Sequence, residues 1–184
     1  MIVIMFQNWK ELPGIIRSYK AGATIFLQND KVTSMFQIVE GEAKLIRPNL
    51  NGGTLVLQRA VARSILAEAS LFATNYHCDA VAATDVNVRV IQRTALRRRF
   101  ESDPAFAKAW VDHLAQEIRA TRLRAEILSL KTVSERLSAW LENHGPLPAK
   151  GNWKGLAQEL GTSAEALYRE IAKGNQSPGK KLRS

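Results

Sequence analysis

Met35-Phe36-Gln37-Ile38-Val39-Glu40-Gly41-Glu42-Ala43-Lys44-Leu45-Ile46 is two short apolar runs hinged at a glycine. Runs of Val, Ile, Leu and Phe bounded by a turn residue read as successive β-strands. Thr24-Ile25-Phe26-Leu27 precedes this pair, and Thr54-Leu55-Val56-Leu57, Ala80-Val81-Ala82 and Val86-Asn87-Val88-Arg89-Val90 follow it. Pro48-Asn49-Leu50-Asn51-Gly52-Gly53 is a hairpin loop by composition. Strands at this short spacing over residues 23–90 predict a barrel or sandwich.

After Ile91 the pattern becomes helical. Ser102-Asp103-Pro104 is a start signal, because a side-chain oxygen can cap free amides and a proline at the first helical position has no amide to waste. From there Ala107, Val111, Leu114, Ile118, Thr121, Ala125 and Leu128 alternate steps of four and three, a heptad seam suited to pairing with a second copy. The alternative is that this stripe packs on the β domain of its own chain; Trp110, beside the seam, favours neither. A second helix over 132–142 ends at Asn143-His144-Gly145-Pro146. A third, over 153–160, stops at Gly161, and a fourth starts at Thr162, with Glu165 three residues on as a capping box.

The chain of 184 residues has 26 Lys plus Arg against 17 Asp plus Glu, a formal charge of +9. A polyanion, nucleic acid first, is the expected partner. Residues 1–92 hold nine basic and seven acidic side chains, residues 93–184 seventeen and ten, so the binding face belongs in the second half. A single cysteine, Cys78, excludes an intrachain disulfide or a four-cysteine metal site and suits a cytoplasmic location. The apolar opening Met1 to Phe6 is unlike a signal peptide, and no run is long enough to span a membrane.

Residues 152–171 have the layout of a helix-turn-helix: small Ala157 where the helices touch, Gly161 at the turn, and Leu156, Leu160, Leu167 and Ile171 to hold the pair. Ser163, Glu165, Tyr168 and Arg169 are candidates to reach double-stranded DNA, with Lys154 and Thr162 beside them. Arg169 suits a guanine or a phosphate, Glu165 a cytosine amine or Arg169 itself, and Ser163 a phosphate. A helical hairpin without a nucleic-acid role is the alternative.

Taken together, the chain resembles the Crp/Fnr family of bacterial transcription regulators. The resemblance rests on Ile38-Val39-Glu40-Gly41-Glu42-Ala43-Lys44-Leu45, on Glu68-Ala69-Ser70-Leu71-Phe72 followed by Asp79-Ala80-Val81, on Asp103-Pro104, and on residues 161–169. It implies an α+β chain: a double-stranded β-helix or jelly roll of the cyclic-nucleotide-binding type over residues 1–103, a dimerisation helix over 104–131, and a winged-helix-type helix-turn-helix domain over 132–184. The dimer interface would be Val111, Leu114, Ile118, Thr121, Ala125 and Leu128. Only Lys173 to Ser184 follow the last helix core, short for a full β-wing, and Lys180-Lys181-Leu182-Arg183 reads as a basic tail.

In cyclic-nucleotide-binding members a glycine and glutamate open a short helix at the phosphate, the glutamate holds the ribose hydroxyl, and an arginine ten residues later neutralises the phosphate. Here Glu68 keeps the glutamate's place, while Ala67, Cys78 and Asp79 stand where the glycine, arginine and following serine would be. Glu68, Ala69, Ser70, Cys78, Asp79 and Thr121 form the implied effector pocket. Exchanging the fixed cation for a thiol beside a carboxylate disfavours cyclic AMP, so a different effector or none is expected. Tyr76-His77-Cys78 lies where a haem-binding relative ligates iron, and imidazole and thiolate are iron ligands; packing is the alternative, because neighbours on a strand face opposite sides.

The expected function is a homodimeric DNA-binding regulator, which as an activator would also meet RNA polymerase; the alternative is a dimeric sensor that no longer reads DNA. No nucleophile turn, phosphate-binding glycine loop or HExxH pair supports an enzyme.

Overall fold

The structure, a computed structural model, describes residues 12–48 and 54–176. The hairpin tip at Gly52-Gly53, the opening Met1 to Phe6 and the basic run at Lys180 lie outside the described residues. The chain divides into two compact units, Met1–Gln116 and Glu117–Ser184.

The first unit is built from eight strands among the described residues: β1 (Gly14–Tyr19), β2 (Thr24–Phe26), β3 (Ser34–Glu40), β4 (Ala43–Pro48), β5 (Thr54–Ala60), β6 (Ile65–Leu66), β7 (Asp79–Ala82) and β8 (Val86–Gln92). They form two antiparallel four-stranded sheets in the orders β1-β8-β3-β6 and β2-β7-β4-β5. Each sheet thus joins strands distant in sequence, a two-sheet sandwich as the short, evenly spaced runs predict and of the jelly-roll kind that the resemblance implies. Gly41 sits between β3 and β4 at φ +83, with Asp85 and Val86 backbone pressed against the place of a side chain, so only glycine fits.

Two strands escape the sequence pattern. β1 is an edge strand whose Ile15 and Ile16 are 58% and 52% exposed, and β6 has only two residues. Helix α1 (Arg93–Ser102) was not delimited either, since it buries Leu96 alone and carries no apolar stripe.

Helix α2 (Pro104–Ser129) starts where Ser102-Asp103-Pro104 predicts. Asp103 Oδ1 accepts the amides of Ala105 and Phe106, each at 3.0 Å, and its other oxygen meets Arg99 Nη2 at 2.9 Å. Phe106 and Trp110, one turn apart, are fully buried in the core of the first unit. Trp110, neutral in sequence, therefore marks the face that docks on the roll.

The second unit holds the rest of α2, then α3 (Val133–His144), α4 (Trp153–Glu159) and α5 (Ala164–Gln176). Among its described residues there is no strand, in keeping with a C-terminal stretch short for a full β-wing. Ile127, Leu137, Leu156, Ala157, Leu160, Leu167 and Ile171 form its core, including every residue that the pattern assigned to the helix pair. The capping box forms at Thr132 and Glu135, not at Thr162 and Glu165. Ser163 Oγ instead takes the Ala166 amide at 3.1 Å, so α5 is capped one residue later than Thr162 implies.

Arg136 on α3 ties three segments together. Its Nε donates to Leu130 O at 2.8 Å, and its Nη1 to Leu160 O at 3.0 Å and Gly161 O at 3.3 Å. These carbonyls stand just beyond the end of α2 and in the turn after α4, where helix ends leave acceptors without intrahelical donors. Arg136→Ala should destabilise the second unit by about 2–3 kcal/mol, the range for charge-assisted bonds to partly buried carbonyls. Arg136→Lys should recover less than half, because an ammonium lacks the fork; chemical denaturation checks both, and equal stability of all three proteins contradicts the clamp.

Candidate effector pocket and nucleic-acid interface

Of the expected pocket residues, Glu68, Ala69 and Ser70 form the 3-10 turn Glu68–Ser70, Cys78 stands just before β7, Asp79 opens β7, and Thr121 is on α2 in the second unit. Ala67 precedes the turn at φ +66, ψ +21, the left-handed conformation that a glycine would take without strain. Glu68 and Ser70 are buried, at 8% and 1% exposure, whereas Ala69 is exposed and stands away from them. Cys78, just before β7, is 1% exposed, and Ala80 and Ala82 on that strand are buried as well.

Asp79 does not join the pocket. One residue along the strand it faces outward, and its Oδ1 accepts the Gln28 amide at 2.6 Å, which holds the end of β2. His77 is exposed while Cys78 is buried, so the pair presents no common ligand face for iron. Among the described residues no cluster of three or more His, Cys, Asp or Glu side chains has metal-binding geometry. Burial lowers the His77 imidazole, aided by the positive charge of Arg47. Tyr76 serves packing: its ring stacks 4.0 Å from Phe26, its hydroxyl donates to Ser34 O at 2.6 Å, and burial raises its pKa.

Arg47 is the residue that the sequence reading missed. It follows Ile46, which pairs with Asp79, and its Nη2 donates to His77 O at 2.7 Å. The signal was present only as a basic residue two positions beyond Leu45, which register alone converts into proximity to Cys78. A separate concavity of about 780 Å³ opens among Tyr19, Ile25, Phe26, Phe36 and Tyr76, with Arg17 and Lys31 also lining it. None of the implied pocket residues lines this cavity.

In the second unit, α4, a tight turn and α5 follow each other as predicted. The Thr162 amide bonds Ala157 O at 2.9 Å and the Gly161 amide bonds Gln158 O at 3.3 Å, with Gly161 at φ +62. This double closure is a Schellman motif. A side chain at position 161 would meet Leu128 Cδ2 at 2.9 Å, so glycine answers both backbone and space.

Glu165 and Arg169 are exposed on α5, as are Ser163 before it and Lys154 on α4, while Thr162 is half-buried. The Glu165 carboxyl is held below its ordinary range, first by its own amide and the Ser163 hydroxyl, then by the charges of Arg169 and Lys154. The four side chains thus make one electrostatic cluster. Tyr168, 40% exposed, leans on Trp153 with ring centres 5.6 Å apart. Of the expected dimer seam, Val111 and Ile118 are 55% and 51% exposed, and Thr121 and Ala125 are exposed. Leu114 instead packs against the core of the first unit, and Leu128 lies against the Gly161 turn.

Residues 16–103 match the family model described as cyclic nucleotide-binding domain. A comparison with curated proteins gives no match. Among solved structures the chain is similar to FixK2 from Bradyrhizobium japonicum, with a TM-score of 0.75, 19% identity, and coverage of 93% of this chain and 91% of that one. It is similar also to the c-di-GMP responsive global regulator CLP of Xanthomonas campestris, with a TM-score of 0.69, 18% identity, and coverage of 93% and 90%. A transcriptional regulator of the CRP family from Thermus thermophilus gives 0.62, 15%, 85% and 83%. The chain has the fold of these structures, a β-roll followed by a long helix and a helical unit. Among the described residues no helix is long and apolar enough to cross a membrane.

Burial pushes the Cys78 thiol from its ordinary 9.0 up to about 11, with Arg47 opposing and Asp79 and Glu68 adding to the rise. The folded chain therefore holds this proton more tightly than the unfolded chain. The corresponding stability is fully present below about pH 9 and is lost as pH rises toward about 11. Native protein should resist thiol reagents until denaturant is added, and denaturation at about pH 8 and about pH 10 should show a loss that Cys78→Ala lessens. Rapid stoichiometric labelling of the native protein contradicts this placement.

Proposed function

We propose that the chain is a homodimeric, sequence-specific DNA-binding transcription regulator of the Crp/Fnr type, cytoplasmic, with a β-roll that senses an effector other than cyclic AMP. The observation that carries the reading is the exposure of Lys154, Ser163, Glu165 and Arg169 on a helix pair closed at Gly161. An exposed guanidinium with a carboxylate one helical turn away is suited to a guanine edge in the major groove. Ser163 spends one lone pair capping α5, and its hydroxyl proton remains available to Glu165 or a phosphate.

Dimerisation draws support from the exposed stripe of Val111, Ile118, Thr121 and Ala125 on α2. Paired about this stripe, two copies would present their α5 helices to successive major-groove faces about 34 Å apart on a pseudo-palindrome. Ligand in the roll would then bias the long helices, which is a coupling function and needs no bond-making chemistry.

Arg169→Ala should weaken binding to a selected duplex site by roughly 1–3 kcal/mol while leaving random duplex nearly unaffected. Fluorescence anisotropy with selected and random duplexes measures this, and equal losses on both contradict base reading by Arg169. Ile118→Glu should shift the protein toward a monomer in sedimentation at micromolar concentration, since it sets two like charges into one apolar seam. A variant that sediments as the wild type contradicts the stripe as the interface.

The second reading, a dimeric sensor that no longer reads DNA, is favoured by the helix-only second unit among the described residues and by Ala164 at the start of α5. It predicts that no selected duplex competes better than random sequence.

A further inference from the structure

The register of β1 against β8 sets Ile15 opposite Val90, Arg17 opposite Val88 and Tyr19 opposite Val86. Those three valines are buried, and on their other side β3 sets Phe36 against Val90 and Ile38 against Val88. Side chains directly opposite each other across a sheet share a face, so Ile15, Arg17 and Tyr19 stand on the inner face of the sandwich. Ile15 is nevertheless 58% exposed, and Arg17 is exposed too. The edge strand of the other sheet, β2, has only three residues and ends at Phe26. Asp30 and Lys31, from the loop beyond it, line the concavity of about 780 Å³ that opens at this edge.

Its wall is aromatic and fixed. Phe26, Phe36 and Tyr76 are buried, with the Phe26 ring 5.3 Å from Phe36 and 4.0 Å from Tyr76, whose hydroxyl is bonded to Ser34 O. A preformed, mostly apolar concavity within about 300–1,000 Å³ is the size of a small-molecule site. The charged groups in the lining are Arg17, Lys31 and Asp30, and Asp30 Oδ2 already accepts the Leu27 amide at 3.1 Å. Among the described residues neither Arg17 nor Lys31 has an ion-pair partner. One net positive charge beside an apolar wall matches a monoanion with an apolar body. A guanidinium fork suits the two oxygens of a carboxylate, whereas a phosphate would bring close to two charges.

We propose that this open edge of the roll is a ligand site in its own right, and that it takes a small carboxylate with an apolar ring or chain. The apolar body would lie against Ile15, Ile25 and Phe26, and the carboxylate on Arg17 with Lys31 beside it. The site needs neither the turn Glu68–Ser70 nor the DNA reading.

Calorimetric titration of the full chain at neutral pH with naphthoate and with decanoate, each beside its uncharged counterpart, naphthol or decanol, tests the assignment. At least one carboxylate should bind, and its alcohol should bind roughly 5- to 10-fold more weakly. Arg17→Ala should weaken the carboxylate by a similar factor, and Ile15→Asp, which sets a like charge into the apolar wall, by roughly 10-fold. Thermal melts verify that both variants are folded. No binding of either carboxylate, an alcohol that binds as tightly as its acid, or unchanged binding in folded Arg17→Ala overturns the proposal. Sedimentation of the ligand-free proteins gives a further test: a smaller assembly in Ile15→Asp than in the wild type assigns this face to a second copy and also overturns it.

Discussion

Phe106 and Trp110 fasten the first half of the long helix to the roll, and the rest of the architecture follows from which face they occupy. Both rings are fully removed from solvent, and truncating either kind of side chain in a core typically costs about 3–5 kcal/mol. Once that face is spent, Leu114 is drawn inward beside it, while Val111 is left outward. One face of the helix is therefore spent on the roll, and Val111 and Ile118 remain exposed on another.

The same two-sidedness explains how the sequence was legible and where it was not. Six strand runs, the Asp103 cap, the Gly161 turn and the core of the helix pair could be read because each depends on local chemistry: alternation, a capping oxygen, a positive φ, a 3.6-residue repeat. β1 and β6 were invisible, one because an edge strand shows its apolar residues to water, the other because two residues carry no period. Leu114 and Leu128 have the right heptad positions and intrachain neighbours instead, since periodicity names a face without naming its occupant. Arg136 and Arg47 look like surface charge in a sequence; only chain crossings turn one into a clamp on three carbonyls and the other into a neighbour of Cys78.

The turn Glu68–Ser70 holds buried polar side chains on a backbone that its sequence does not favour. Ala67 keeps the left-handed backbone although a methyl group is penalised there, so the turn is held by its surroundings. Glu68 and Ser70 stay buried on it. Beside them the buried Cys78 thiol stands just before β7, and the exposed Arg47 guanidinium stands near the end of β4.

From Ile118 to Arg122 every side chain of the long helix is exposed. Here the backbone has only its own i to i−4 bonds for protection, with no apolar cover to slow a local opening. Arg119 and Arg122 fall within that bare span. A trypsin-like protease should therefore cut there once the helix opens, severing the chain close to where its two compact halves divide, and a second subunit laid along the helix would shield the bond.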